Sequence, residues 1–312
     1  MENHQLWLAV FPPLDADRWH RLRLRAGYAL AFSLVLGLGP YGFNYYRLDS
    51  AQRPLSPKHL LLKPNGEIGF WLGLFGAVVF LGIFLYPLRK RWAWLQARGN
   101  PKNWLDFHVM MGLAAPFIIA LHASFKLKGV AGMAFWIMSA VAISGVIGRY
   151  LYAQIPRSLN AAELSLQEAR EEQVQLTEQL TTQEVFPPAS LAPLFRFPRE
   201  ERVRSEPLLL AVATMVLLDV RRLFHVTRLR WRTLGFWGQL TTMGGLATSG
   251  NSEVERAVTV ARKQAALSKR ILFLSRSQRV LHLWHVVHKP FSYSFAVLAL
   301  IHISVVLLFG VR

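Results

Sequence analysis

The sequence predicts an all-α integral membrane protein built around a bundle of five membrane-spanning helices. Five apolar runs each reach the roughly 20 residues that a bilayer core requires. The composition agrees, because 53% of the 312 residues are hydrophobic and 12% are aromatic, including ten Trp and twenty Phe. Such values are unusual for a soluble domain. Basic residues also concentrate in alternate loops, as in proteins that cross a membrane several times.

The predicted spans cover about residues 26–46, 68–88, 104–125, 131–153 and 281–310. They divide the chain into four parts. These are a cytoplasmic N-terminal segment at 1–25, four spans within 26–153, a helical cytoplasmic insertion between spans 4 and 5 at 154–280, and a fifth span with a short external C-terminus at 281–312. With five spans, the two termini lie on opposite sides of the membrane.

The positive charge of the chain predicts its orientation. A net charge of +18 and an isoelectric point near 10.9 would suit a nucleic-acid-binding protein if the chain were soluble. The charge, however, lies before span 1, between spans 2 and 3, and in the insertion, whereas the loop after span 3 has only Lys126 and Lys128. This pattern predicts a cytoplasmic N-terminus and contact with membrane lipid, with no nucleic-acid partner. The loop at 47–67 weakens the pattern without reversing it, since it carries Arg47, Arg53, Lys58 and Lys63.

The first half of the insertion predicts a polar helix and a linker. The helix begins near Asn160, with Glu163 as its capping-box partner, and ends near Thr182. Four prolines between residues 187 and 198 then mark the linker.

The second half predicts two further helices. The apolar run at 207–220 is short for a span, so we expect an interfacial or internally packed helix there. The glycine-bearing run at 235–250 lacks the motif of a phosphate-binding loop. A last amphipathic helix begins at Ser252, capped with Glu255, and leads toward span 5.

Two histidine pairs with the same internal spacing lie inside the predicted spans. His108 and His122 are 14 residues apart in span 3, and His288 and His302 are 14 residues apart in span 5. On a helix this separation is about 21 Å of rise and nearly four turns, so both imidazoles of a pair lie near one face. Spans 3 and 5 run in the same direction, which brings His108 level with His288 and His122 level with His302. Two b-type haems stacked across a bilayer, each iron held by two histidines, require this arrangement.

The residues between the histidines suit a bound macrocycle. Gly112 and Ala115 share the histidine face of span 3 and are small enough to let a flat ring approach the backbone. On span 5, Ser292 offers a hydroxyl to support a ligand, and Phe295 offers a ring to stack on a macrocycle. These four residues are therefore candidates for contact with the cofactor.

Two more candidates lie near the predicted inner pair. His285 is off the face of His302, so we expect it to contact a haem propionate or support a ligand rather than bind iron. Arg149, at the end of span 4, lies at the depth of the inner haem and would neutralise a propionate, although an ordinary positive-inside anchor explains it equally well. The remaining histidines, which are His4, His20, His59 and His225, are expected to be solvated in loops or termini.

The chain contains no cysteine. This excludes disulfides, cysteine-ligated iron–sulfur clusters and covalent attachment of c-type haem. Any centre of those kinds belongs to a partner.

The two H-x13-H pairs on spans 3 and 5 resemble the dihaem transmembrane core of the ferric reductase and NADPH oxidase superfamily. They resemble more distantly the ligand helices of respiratory b-type cytochromes. The resemblance covers the membrane spans and includes the run SGVIGRYLYAQIPR at the end of span 4. It implies two b haems, held by His108 with His288 on the inner side and His122 with His302 on the outer side, that pass single electrons between the two faces.

The sequence departs from that family in two ways. No flavin and nicotinamide domain follows the last span, and about 125 residues replace the usual short loop before it. We therefore expect a relay in a bacterial inner membrane, with a cytoplasmic flavoprotein or iron–sulfur protein at one face and a periplasmic or external electron carrier at the other. One alternative is a quinone-linked cytochrome b subunit of a membrane oxidoreductase. The alternative from another class is a haem-free scaffold or transporter whose histidines pack or relay protons.

Overall fold

A computed structural model describes residues 16–155, 162–181, 183, 185–233 and 251–309. These residues form helices and connecting segments and contain no strand. In chain order the α-helices are α1 (Ala16–Tyr46), α2 (His59–Leu62), α3 (Glu67–Arg89), α4 (Ala93–Gln96), α5 (Pro101–His122), α6 (Gly129–Gln154), α7 (Ala162–Thr181), α8 (Pro188–Leu191), α9 (Glu200–Ser205), α10 (Leu208–Thr233) and α11 (Ser252–Phe309).

Five helical segments in the described part of the chain are long and apolar enough to cross a membrane. They are α1, the stretch from α2 through α3, α5, α6 and α11, which confirms the predicted all-helical class and the number of candidate spans. α10 is not among them, in agreement with the short apolar run at 207–220. The chain is accordingly an integral membrane protein by the length and composition of its helices.

Two helices extend well beyond the predicted spans. α1 begins at Ala16, so the arginines expected in a segment before span 1 lie within its first turns. α11 runs without a break for 58 residues, joining the last helix of the insertion to span 5. No Gly or Pro occurs in α11 before Pro290, so nothing in the backbone ends the helix where its polar part meets its apolar part.

The chain divides into two compact units. One contains the residues up to Arg149 together with those from His285 onward, and is called the membrane unit below. The other spans Tyr150–Trp284 and is called the insertion unit.

In the membrane unit, α3 and α5 pack closely because glycines line the contact. A methyl group added at Gly76 would lie 2.5 Å from Cδ1 of Ile119, and one at Gly82 would lie 2.6 Å from Sδ of Met111. Both distances are shorter than van der Waals contact, so only glycine permits this approach. The core beside it consists of Leu72, Val79, Ala115, Ile118, Leu121 and Met138.

The basic loop at 47–67 uses one of its charges inside the fold. Arg53 is 6% exposed and donates hydrogen bonds to the carbonyls of Tyr46, Leu48 and Ser124. The first two follow the last turn of α1 and the third follows α5, so a cation satisfies carbonyl groups at two helix C-termini. The same contacts place the C-terminal ends of α1 and α5 side by side.

The insertion unit is held together by buried ion pairs. Lys269 is 2% exposed and donates a hydrogen bond to Asp219, which also accepts hydrogen bonds from Tyr150 and Arg222. Burial lowers the pKa of Arg222, while the Asp219 carboxylate opposes this effect. This network lies beside a small core of Val203, Ala211, Met215 and Phe273. Because α10 buries Ala211 and Met215, the run at 207–220 packs internally on one face.

Local details of the insertion differ from the prediction. The cap of α11 is Asn251, whose side chain accepts hydrogen bonds from the amides of Glu253 and Val254 at 3.0 and 3.2 Å, so Ser252 is already helical. The proline-rich linker contains α8 and a 3₁₀ turn at Ala192–Phe195. Asn160, the second half of the N-terminal segment's predecessor His4, and the glycine-bearing run at 235–250 lie outside the described residues.

Candidate cofactor-binding site

The membrane unit brings the four predicted histidines together in two pairs. His288 lies close enough to His108 for their charges to interact, and His302 stands in the same relation to His122. These are the pairs that the 14-residue spacing predicts. Since His108 precedes His122 and His288 precedes His302, α5 and the C-terminal part of α11 run in the same direction.

A third helix holds both histidines of α5. Nδ1 of His108 lies 2.8 Å from the carbonyl oxygen of Ile83, and Nδ1 of His122 lies 2.8 Å from that of Gly69. The two acceptors are themselves 14 residues apart on α3, in reverse order. Antiparallel packing of α3 on α5 therefore gives each histidine level the same backbone support.

The sequence of α3 makes these carbonyl contacts possible. Ile83 lies four residues before Pro87, which has no N–H, so its carbonyl lacks the usual donor within the helix. At the other level, a methyl group on Gly73 would lie 2.6 Å from Cε1 and 2.8 Å from Nδ1 of His122. A proline thus frees one acceptor, and a glycine makes room for the ring that reaches the other.

The histidine on α11 at the inner level is held by a side chain. Nδ1 of His288 lies 2.8 Å from Oγ of Ser144, and that hydroxyl donates to the carbonyl of Val141 at 2.8 Å. The hydroxyl proton is therefore engaged, and Nδ1–H of His288 is the donor in the first contact. At the outer level, His302 is exposed.

Three imidazoles thus share one tautomer. A carbonyl or an engaged hydroxyl accepts from Nδ1–H of His108, His122 and His288, which leaves the lone pair on Nε2. Histidines that bind iron or zinc through Nε2 commonly donate their other N–H to a carbonyl in this way. Among the described residues, no group of three or more His, Cys, Asp or Glu could hold a bare metal ion. A haem iron, however, takes four ligands from its porphyrin and needs only two histidines from the protein.

The other predicted contact residues occupy different surroundings. A methyl group on Gly112 would meet nothing within 4 Å, so open space adjoins α5 between its histidines. Ala115 is instead packed in the core at 4% exposure. Phe295 stacks edge to face on Phe80, with ring centroids 5.6 Å apart. Ser292 donates its hydroxyl to the carbonyl of His288 at 2.7 Å, so it contacts the inner histidine's helix turn rather than its ring.

A buried charged cluster next to the inner level was not predicted. Asp106 is 13% exposed, and its carboxylate accepts from Arg149 at 2.7 Å and lies 3.2 Å from Nε2 of His20. Arg149, the predicted partner of a propionate, therefore already has a carboxylate partner. His285 lies near enough to His288 to interact electrostatically. An acidic residue two positions before a histidine in an apolar span was the available signal for Asp106, since such residues seldom lie unpaired at membrane depth.

The expectation of solvated histidines outside the pairs was wrong for three residues. His20 is 8% exposed within α1, because it faces Asp106. His59 is half-buried beside the hydroxyl of Tyr45, 3.1 Å from its Nδ1. His225 lies in α10, where burial, followed by the nearby charges of three arginines, lowers its pKa.

Comparison of the chain with models of protein families, with curated proteins and with solved structures finds no match. The likeness to dihaem cytochromes therefore depends on the histidines and their surroundings alone.

Proposed function

We propose that this protein is a transmembrane electron relay that binds two b-type haems, one between His108 and His288 and the other between His122 and His302. The observation that carries the proposal is the two-level arrangement of histidines on α5 and α11, with the Nδ1 atoms of three of them already engaged. A b-type haem bound there would supply a one-electron carrier at each level.

The residues of the chain have three tasks in this proposal. The four Nε2 atoms would bind iron, which requires neutral imidazoles of the tautomer described above. Ile83, Gly69 and Ser144 fix that tautomer and the orientation of the rings. The open side of Gly112 leaves α5 accessible to a flat group between the two levels.

The alternation of basic residues supports a cytoplasmic N-terminus, which would place the His108 level on the inner side. Arg53 explains much of the exception at 47–67, because this buried side chain satisfies helix carbonyls and adds little free charge to its loop. A cytoplasmic flavoprotein or iron–sulfur protein would then exchange electrons with the inner level. A periplasmic carrier or external acceptor would meet the outer one.

The decisive experiment measures haem per chain and the reduced-minus-oxidised optical spectrum of the purified full chain and its alanine variants. The wild type should bind about two non-covalent haems with low-spin b-type bands. His108→Ala and His288→Ala should remove the same haem, so the double variant should still bind one. His108→Ala combined with His122→Ala should bind none.

His225→Ala is the matched control, because this histidine lies in the insertion unit and should leave both haems in place. A well-folded wild-type chain that neither contains haem nor takes it up would sink the proposal. That outcome would favour the haem-free scaffold or transporter. Loss of different haems from His108→Ala and His288→Ala would contradict the pairing but not the cofactor.

One observation favours a quinone-linked cytochrome b as the second candidate. The cluster of His20, Asp106 and Arg149 places polar groups inside the bundle, two residues along α5 from His108. Quinol oxidation needs polar groups of this kind beside a haem. Reduction of the inner haem by a soluble quinol, lost in Asp106→Asn but kept in the exposed control Asp49→Asn, would support it.

A further inference from the structure

The insertion unit contains a second site, which is independent of the histidines. A cleft of about 660 Å³ is bordered by residues of α7, α9 and α11. This volume lies within the range of about 300–1,000 Å³ that small-molecule sites occupy. Four arginines line the cleft, which are Arg170, Arg204, Arg276 and Arg279.

The positive charge of this arginine cleft is largely uncompensated. Glu200 is the one carboxylate in its lining, and it pairs with Arg204 four residues along α9. Arg276 donates its Nε–H to the carbonyl of Val203 at 3.0 Å, which orients the guanidinium group and leaves its terminal nitrogens for another acceptor. Within the described residues, neither Arg170 nor Arg279 has an acidic partner. The cleft therefore attracts an anion.

The remaining lining narrows the kind of anion. Gln173, Ser268 and Gln278 add neutral hydrogen-bonding groups, whereas Ile271 and Leu274 add apolar surface. Guanidinium groups bind phosphate through paired hydrogen bonds, and several of them around one cleft suit a group with three or four acceptor oxygens. The apolar wall suits a phosphate that is esterified to a carbon skeleton.

The position of the cleft on α11 suggests where such a group could come from. Arg276 and Arg279 precede the apolar part of the helix, which begins near residue 281, by five and two residues. At 1.5 Å per residue these are rises of about 7 Å and 3 Å. The headgroup layer on each side of a bilayer is roughly 5–8 Å thick, so both guanidinium groups lie at the depth of lipid phosphates if α11 enters the membrane there.

We propose that the arginine cleft binds a phosphate ester, presented either by the headgroup of an anionic phospholipid or by a soluble phosphorylated molecule. Binding would fix α7 and α9 against α11 through a shared anion. The site goes beyond the proposed electron relay and does not depend on haem.

The test titrates the full chain in detergent with two probes, short-chain phosphatidylglycerol and glycerol 3-phosphate, and detects binding by native mass spectrometry. The double variant Arg170→Gln with Arg279→Gln should weaken binding roughly tenfold or more, since two charge-assisted contacts are lost. The matched control is Arg228→Gln with Arg232→Gln, which removes the same charge from exposed positions on α10.

The two probes separate the two sources. Saturable binding of the lipid alone identifies a headgroup site, whereas binding of both, with the ester displacing the lipid, identifies a site for soluble phosphate esters as well. No saturable binding of either probe, or an equal loss in the cleft and control variants, would overturn the proposal. If the double variant does not purify, Arg170→Gln alone serves, because this residue is exposed on α7. Haem content is recorded separately, so a colourless protein leaves this test intact.

Discussion

The inner and outer histidine pairs have the same spacing but different support. At the inner level, Nδ1 of His108 is held by a carbonyl and Nδ1 of His288 by Ser144, and the charged cluster around Asp106 lies nearby. At the outer level, His122 is held by the carbonyl of Gly69. The described residues show no hydrogen bond for His302, which is exposed on α11.

This difference teaches that helical spacing places ligands, while their immediate neighbours decide how each level behaves. Hydrogen bonds to the far nitrogen of a histidine ligand raise its basicity and fix its orientation. With two such bonds and a nearby carboxylate, the inner level should stabilise the oxidised state of a bound haem more strongly. We therefore expect the inner haem to have the lower reduction potential.

The largest effect is expected from Gly73→Ala, which acts on the outer level alone. The new methyl group would overlap the ring of His122, so the ring must move away from Gly69 and lose its hydrogen bond. We expect loss of most of the outer haem with the inner haem retained, measured as haem per chain and by the optical spectrum.

Gly37→Ala is the matched control, since a methyl group there would meet nothing within 4 Å. It should keep both haems. Equal haem content in the two alanine variants would show that the close approach of Gly73 to His122 is not needed, and would remove one basis of the comparison.

Asp106→Asn should act on the inner level. The substitution removes the carboxylate that holds Arg149 and His20, and a buried donor left without its partner costs about 1–3 kcal/mol of unfolding free energy. It also removes a negative charge, so the midpoint potential of the inner haem should rise while that of the outer haem stays constant. A redox titration followed optically, together with thermal unfolding, measures both effects.

Asp49→Asn provides the control, because Asp49 is exposed in the loop after α1. It should change neither quantity. A rise of the outer potential in Asp106→Asn, with no change in the inner one, would reverse the assignment of the two levels.

The sequence was sufficient for the helical class, the candidate spans and the pairing of His108 with His288 and of His122 with His302. Side-chain spacing on a helix carries that information directly. The role of α3 was not predicted, because its contribution comes from backbone carbonyls, which every residue has. Only Pro87, which removes a competing N–H, and Gly73, which removes a side chain, mark the two places in the sequence where those carbonyls accept from histidines.

The continuous α11 and the cluster around Asp106 were missed for other reasons. A change from polar to apolar composition ends a span but does not end a helix, which requires a backbone signal such as Gly or Pro. The partners of Asp106 come from α1 and α6, 86 and 43 residues away along the chain. Contacts at such separations depend on how helices pack, which local pattern does not specify.

The smallest effect is expected from Ser144→Ala, and it tests the inner level most directly. Both Ser139 and Ser144 lie on α6 and donate their hydroxyls to carbonyls of their own helix, at 2.9 and 2.8 Å. Only Ser144 also contacts a histidine ring. Ser139→Ala therefore reproduces the loss of a helical hydroxyl without touching the site.

In Ser144→Ala, Nδ1–H of His288 loses its acceptor, so the ring becomes less basic and less firmly oriented. Loss of such a supporting contact typically weakens metal binding by about 10–100-fold. Iron remains bound to His108 in this variant, and the haem is retained at high concentration, so the change should appear as faster loss of the inner haem to a haem acceptor and as a higher inner potential. The outer haem should behave as in the wild type. If Ser139→Ala and Ser144→Ala release the inner haem at the same rate, the contact at 2.8 Å contributes nothing to ligation, and the inner level is distinguished by its charged cluster alone.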